Sequence, residues 1–461
     1  MRSYDGGGRR MTTAAAAGRR RAHIVGAGLA GLSAAVRLAA SGWAVSLYES
    51  GRHAGGRCRS YADAELGCRI DNGNHLLLSG NHAALAYVRE IGAEDTFEPA
   101  EAAFPFLDVA TGERWTLRPN GGALPWWILD RARRVPATAP GDYLKGLRLA
   151  LASYADTVAG RLDPATAIYR RLWEPLAVAA LNTAADEGAA ILLWRVVRET
   201  LGRGAAACRP MLPRQGLSES LVDPALRFLE GRGASIRFGA RLREIAFDDG
   251  TSSVGALSFD GETVPVAADD SVILAVPAAV APRLVPDLPA PTEFRAIVNA
   301  HYRTDAAPPG APPFIGLVGG NAEWVFRKPG ILSVTVSAAE RFVDRPAEEL
   351  APLLWRDVAV AYGVGQPDAP PPPWRIVKEK RATFAATPAQ LRLRPGARTA
   401  WRNLILAGDW TDTGLPATIE GAIRSGHVAA ATAQMTVASG MPTKDLSRQL
   451  SPRMVATNTH S

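Results

Sequence analysis

Six consecutive residues, Gly26-Ala27-Gly28-Leu29-Ala30-Gly31, have the types and spacing to hold a diphosphate. Gly26 suits a tight turn, Gly28 lets backbone approach a pyrophosphate, and Gly31 lets a helix pack closely on a strand. Free N–H groups at the start of a following helix, with their partial positive charge, would face the same phosphates. Glu49 stands 18 residues after Gly31, where a carboxylate can accept hydrogen bonds from ribose hydroxyls. An acid rather than an arginine at that point disfavours NADP.

The flanking elements suit this task. Residues 22–25 form an apolar run fit for a buried parallel strand. Leu32, Ala35, Val36 and Ala39 recur at helical spacing, and Gly42 sits where a helix ends. Residues 44–48 read as a second strand. Far along the chain, residues 403–407 form another apolar strand, followed by Gly408-Asp409. A Gly/Pro-containing loop then leads to a helix start with Thr418 as N-cap and Glu420 in the first turn. Residues 233–238 and 241–245 read as strands, and 270–277 as a buried strand ending at Pro277.

Composition sets the outer limits. The chain has 461 residues, 47% apolar and 21% charged, which permits a large core and excludes global disorder. Three cysteines at irregular spacing exclude a disulfide scaffold and a zinc ribbon. The net charge is +7, and only five of the 52 basic residues are lysine, so much of the excess reads as arginine-rich codon usage. No segment resembles about 20 consecutive apolar residues. Residues 1–20 lack an apolar signal core and read as a disordered extension, with Met11 as an alternative start. Residues 441–461 read as a flexible tail. No basic motif interleaved with aromatics points to nucleic acid.

Gly55-Gly56-Arg57 extends the first unit, and here the sequence resembles the flavin-dependent amine oxidase and carotenoid desaturase superfamily. The resemblance implies FAD. It puts Arg57 on the pyrophosphate, Asp409 at the ribityl or pyrophosphate region, Leu242 on the adenine, and the backbone of Thr418 and Ile419 at the flavin pyrimidine. Ser50, Gly56, Gly73, Asn74, Ala275, Pro277 and Gly408 complete the implied cofactor set. No attachment cysteine lies near the C-terminal motif, so the FAD is expected to be non-covalent. The expected fold class is α/β: a Rossmann-type FAD-binding domain (21–79, 213–285 and 395–440) interleaved with an α+β substrate-binding domain (80–212 and 286–394).

Asp71-Asn72-Gly73-Asn74-His75, the Asp409-Trp410-Thr411 to Leu415-Pro416-Ala417-Thr418-Ile419-Glu420 stretch, and Lys378 to Phe384 are similar to the hydroxysqualene dehydroxylase family of bacterial hopanoid synthesis. This implies a reduction in which hydroxysqualene loses its hydroxyl and squalene results. An allylic carbon that loses water leaves a delocalised cation, so the protein must protonate the leaving oxygen in a dry apolar site. Asp71, His75, Lys380 and Glu420 are the candidate acids. Asn74 is a candidate donor to flavin O4 or to the substrate oxygen. Carotenoid or phytoene desaturation and amine oxidation are the competing readings, the latter with Phe384 and Trp410 as paired rings.

A C30 isoprenoid partitions into lipid, so a cytoplasmic enzyme peripheral to the membrane is expected. The run with Leu124, Trp126, Trp127 and Leu129, followed by Arg131, Arg133, Arg134, Lys145 and Arg148, suits an interfacial face. Tyr143 to Tyr154 reads as an amphipathic helix beside it. Association with the upstream squalene-pathway synthases is a further expectation.

Overall fold

The computed structural model describes residues 20–248 and 250–439. The expected extension over 1–20 (Arg20 apart) and tail over 441–461 lie outside the described residues, as does Met11. A parallel sheet brings together strand β1 (Arg21–Val25), strand β2 (Ala44–Glu49) and the strands Ser235–Phe238, Ser271–Leu274 and Leu404–Leu406. Its order runs 235–238, β2, β1, 271–274, 404–406, with every neighbouring pair parallel. The strands 271–274 and 404–406 are buried along their whole length, as continuous apolar runs in a parallel sheet require.

Helix α1 (Leu29–Ala40) buries Leu32, Ala35, Val36 and Leu38 against this sheet and stops before Gly42, whose φ is +83°. The long helix Ile419–Ser439 lies against α1. The approach is close because Gly426 has no side chain: a Cβ there would overlap Ser33 Oγ and the Ala30 carbonyl. Ser33 Oγ also donates to the Ile423 carbonyl at 3.2 Å, tying the two helices. Three distant stretches of chain thus share one core.

A second sheet has seven strands in the order 374–384, 294–303, 331–336, 324–328, 314–318, 104–108, 114–117. Only the 314–318/104–108 pair is parallel. Side chains alternate faces along each strand. Val298, Ala300, Tyr302, Leu332, Val334 and Val336 pack with Leu350, Leu354 and Val358 of the helix Ala347–Tyr362. The opposite face carries Asn299, His301, Ser333 and Thr335, beside a group of aromatic rings. The segment from Trp126 to Cys208 adds Trp127, Leu149, Trp173 and Leu193 to the core that contains Phe106 and Trp115. The Pro-rich stretch 308–313 lies in the connection between two strands, and 371–373 leads into the edge strand Trp374–Phe384.

The expected amphipathic helix over 143–154 is instead two short pieces, an α-helix Pro140–Leu144 and a 3-10 helix Lys145–Leu151. Tyr143 and Leu149 face inward, whereas Leu144, Leu147 and Leu151 are exposed. The two tryptophans expected together at an interface also separate: Trp126 is 55% exposed and Trp127 only 5%. Trp127 packs edge-on against Tyr143, so it belongs to the core.

Candidate active site

The glycine-rich turn leaves β1 at Gly26, whose φ is +106° and whose Cβ position is filled by the Ala275 carbonyl. Gly31 is equally constrained, since a Cβ there would run into the Gly26 carbonyl. Gly28 differs: nothing lies within 4 Å of its Cβ position. It stands at the N-cap of α1, a helix start with no side-chain cap and no acid in its first turn. Glu49, at the end of β2, accepts the Ala27 N–H at 2.8 Å and the Gly51 N–H at 2.7 Å, with Ser50 Oγ 3.2 Å away. The turn, the uncapped helix end and the carboxylate converge as a dinucleotide requires. Ala240 N–H reaches the Glu49 carbonyl at 2.8 Å, which brings the start of the strand at Leu242 to the same end of the sheet.

Gly55 donates its N–H to the Ala27 carbonyl at 2.8 Å, which lays the Gly-Gly-Arg element along the turn; Gly56 comes within 3.6 Å of Gly28, measured from its Cβ position. Arg57 then reaches across the molecule. It donates to Asp409 Oδ1 at 2.7 Å and to the Ala382 carbonyl. Arg394, unremarked in the sequence, grips the same loop through the carbonyls of Asp409, Trp410 and Thr411. Burial lowers its guanidinium to about 10. Gly408 N–H is held by Ser425 Oγ at 2.8 Å, and Thr418 Oγ1 accepts the Gly421 N–H at 3.0 Å, which makes it the expected N-cap of the long helix. Ala275 donates to the Val25 carbonyl beside Gly26, with Pro277 exposed two residues on.

The Asp-Asn-Gly-Asn-His loop crosses the polar face of the seven-stranded sheet. Asn74 Nδ2 donates to Ser333 Oγ at 2.7 Å and to Thr335 Oγ1 at 3.1 Å. Ser333 Oγ meets His301 Nδ1 at 2.7 Å, and Thr335 Oγ1 donates to Asn299 Oδ1 at 2.8 Å. Asn299 returns to the loop through the Asn72 carbonyl at 3.3 Å and also lies close to Gly73. Asp71 is 3% exposed and accepts from Ser60 Oγ, the Leu217 N–H and Lys328 Nζ. Burial would push Asp71 up, but Lys328 with these donors holds its carboxyl below the usual range. Burial pushes His75 down to about 4, against the pull of Asp71, and pushes His301 down to about 4 as well. Both imidazoles are neutral at pH 7. A cavity of about 10 Å³, near the room one water needs, lies between Asp71, His301, Lys328 and Gln215.

The geometry corrects two expected acids. Lys380 is 68% exposed and pairs with the exposed Asp344 at 2.8 Å. Lys378, two residues earlier, stands opposite Val298 on the face away from the polar row, and Lys380 follows it there, reaching Asp344 as Lys378 reaches the Arg345 carbonyl. The lysine that joins the polar set is Lys328. Glu420 is buried and accepts the Ala83 and Ala84 N–H groups at the start of the helix His82–Glu90, with Arg424 beside it, so its role is structural. Ser60, Asn299, His301, Lys328, Ser333 and Thr335 went unread in the sequence. The signal was there as polar residues at every second place, Asn299-x-His301 and Ser333-x-Thr335, in otherwise apolar strands.

Next to this polar row the same face is aromatic. Phe106 and Trp324 meet edge to face at 5.5 Å, Phe106 stacks on Trp115 at 5.6 Å, and Phe314 lies 6.2 Å from both Trp324 and Phe326. The rings considered for an amine cage are not available as one. Trp410 is buried with Nε1 on the Val276 carbonyl, and Phe384 is buried beneath the Arg394 guanidinium at 4.8 Å.

Comparison with known proteins agrees with this geometry. A family model described as flavin containing amine oxidoreductase matches residues 29–433. Cyclohexylamine oxidase from Brevibacterium oxydans has the same fold, with a TM-score of 0.67 at 16% identity over 90% of this chain and 99% of that one. Hydroxysqualene dehydroxylase of Rhodopseudomonas palustris is 51% identical over 88% of this chain and 97% of its own length. That of Zymomonas mobilis is 47% identical over the same shares. A probable zeta-carotene desaturase of Synechococcus elongatus is 24% identical over 89% of the chain. The chain belongs to the flavin-containing amine oxidoreductases and, within them, to the hydroxysqualene dehydroxylase family. Its cofactor is FAD.

Proposed function

We propose that this protein reductively removes the hydroxyl of hydroxysqualene to give squalene. The observation that carries the reading is the polar row on an aromatic sheet face beside the dinucleotide cradle, within a chain about half identical to hydroxysqualene dehydroxylases. The FAD-binding domain comprises 21–79, 213–285 and 395–440, and the substrate-binding domain comprises 80–212 and 286–394. The turn amides from Gly26 to Gly31 hold the pyrophosphate with Arg57, Glu49 and Ser50 hold the ribose, and Leu242 lies at the adenine. Gly56, Gly73, Asn74, Ala275, Pro277 and Gly408 line the cofactor's path, Asp409 orients Arg57, and the Thr418 and Ile419 N–H groups complete the non-covalent site. The chemistry supplied by bound FAD is hydride transfer.

The chain's own part is to make the hydroxyl leave. The neutral His75 donates a hydrogen bond to the departing oxygen, whereas Asn74, expected as a second donor, has both Nδ2 hydrogens taken by Ser333 and Thr335 and instead fixes the loop that carries His75. Asp71 stays a carboxylate and cannot be the acid at neutral pH; it holds Lys328, whose ammonium is the proton reserve of the set. The aromatic face excludes water and presents ring quadrupoles to a developing allylic cation. The chain meets its lipid substrate from a membrane face, with Leu124, Trp126 and Leu129 exposed beside Leu144, Leu147 and Leu151. No helix among the described residues is long and apolar enough to cross a membrane. Anaerobic incubation of the FAD-loaded protein with a flavin reductant and hydroxysqualene should yield squalene. A dehydrogenated polyene or amine turnover in its place would refute the reading.

A further inference from the structure

Next to that apolar tip lies a cleft of about 610 Å³, within the usual range for a small-molecule site of about 300–1,000 Å³. Arg118, Arg133 and Arg209 line it, with Glu101 as the one acid. Glu101 pairs with Arg118 at 2.6 Å. Among the described residues the Arg209 guanidinium meets only a backbone carbonyl, that of Ala100, at 3.4 Å. Arg133 Nη1 is buried and has no hydrogen-bond partner among the described residues, a costly state for a charged donor. The Arg133 guanidinium also stands 5.1 Å over the Trp126 ring, so cleft and apolar tip share a residue. Asn120 fixes the loop between them, donating to the Gly122 and Leu124 carbonyls at 3.1 and 2.9 Å.

We propose that this cleft seats the phosphate headgroup of an anionic phospholipid and so docks the apolar tip into an acidic bilayer at a defined point. The proposal rests on the membrane reading above. Guanidinium groups match phosphate oxygens in geometry and charge, and the three here outnumber Glu101 and Asp130, the latter 4.0 Å from Arg133 Nε. The exposed Leu124, Trp126 and Leu129, with the exposed Leu144, Leu147 and Leu151 of the two short helices that follow in sequence, supply the apolar surface that enters the acyl boundary. The exposed Arg131 and Arg148 add to the attraction. A bilayer fits better than a protein partner because large aliphatic side chains and a tryptophan are set among arginines, the composition of an interfacial face.

The test uses the FAD-loaded full chain and two kinds of vesicle, phosphatidylcholine alone and phosphatidylcholine mixed with phosphatidylglycerol. Binding should be roughly tenfold or more tighter to the mixed vesicles. The double variant Arg118→Gln/Arg209→Gln should lose that preference yet bind neutral vesicles as before. Its FAD content and its turnover of detergent-dispersed substrate should match wild type, and loss of either would overturn a role confined to docking. Leu124→Ser/Trp126→Ser should weaken binding to both vesicle types. Equal affinity for the two compositions, or an unchanged preference in the arginine variant, would overturn the headgroup site and leave the membrane reading standing. Failure of wild type to bind either vesicle would overturn the membrane reading itself. Release from the mixed vesicles by millimolar inorganic phosphate, but not by equal ionic strength of chloride, would assign the cleft to free phosphate instead.

Discussion

The two faces of the seven-stranded sheet are made by alternate residues of the same strands, yet they differ in kind. Leu332, Val334 and Val336 point to the helix Ala347–Tyr362 and pack among its apolar side chains. Ser333 and Thr335, their immediate neighbours in the chain, hold Asn74 of the loop that follows the strand Cys68–Asp71. One face stabilises and the other positions. The backbone that serves both is rigid because the first face is fully packed, which allows the second to hold a set of side chains at fixed distances.

The sharpest way to break this comparison is at Lys328. Lys328→Met leaves the buried Asp71 carboxylate unpaired and should cost about 3–5 kcal/mol of stability, measured by denaturant unfolding. Adding Asp71→Asn removes the unpaired charge and should restore most of that stability. Squalene formation should stay down by roughly a hundredfold, since the acid is still missing. Recovery of activity along with stability would make the pair purely structural.

On the packed face the expectation is reversed. Leu332→Ala should destabilise by about 2–5 kcal/mol, with turnover per folded flavin unchanged. A fall in kcat without a loss of stability would mean the faces are not separable.

The buried imidazoles give a pH test. His301 sits at about 4, below the ordinary 6.5, so the unfolded chain takes up a proton first as the pH falls. Its contribution is complete above about pH 6.5 and is lost as the pH drops to about 4. The loss should be about 3 kcal/mol. His75, shifted the same way, adds to the slope, and Asp71 adds at still lower pH. His301→Gln should flatten the stability curve between pH 6.5 and 4. The smallest effect is expected at Lys380, where Lys380→Ala should change stability by about 0.5 kcal/mol or less and leave turnover intact.

The cradle was legible in the sequence because its parts lie within one stretch, from β1 through Arg57, and two of its glycines answer to backbone constraints. Gly26 needs a positive φ, and Gly31 a close approach. Asp409 and Thr418 were legible for the same reason, as a strand end and a helix cap. The polar row was not, because it exists only once strands around residues 299, 333 and 328 meet a loop more than 200 residues earlier. Lys380 was not placed by composition because only the pairing shows its side: it shares the face of Lys378, which stands opposite Val298, away from the polar row. Trp127 was misread because two adjacent tryptophans look alike until a neighbour such as Tyr143 claims one.

The most direct measurement follows the flavin itself. The reduced, FAD-loaded protein is mixed anaerobically with hydroxysqualene, and flavin absorbance and extracted product are read together. The account predicts return of the oxidised flavin spectrum with one squalene formed per flavin, and a much slower return in the Asp71→Asn/Lys328→Met variant. A reduced flavin that stays reduced in the wild-type protein would contradict it.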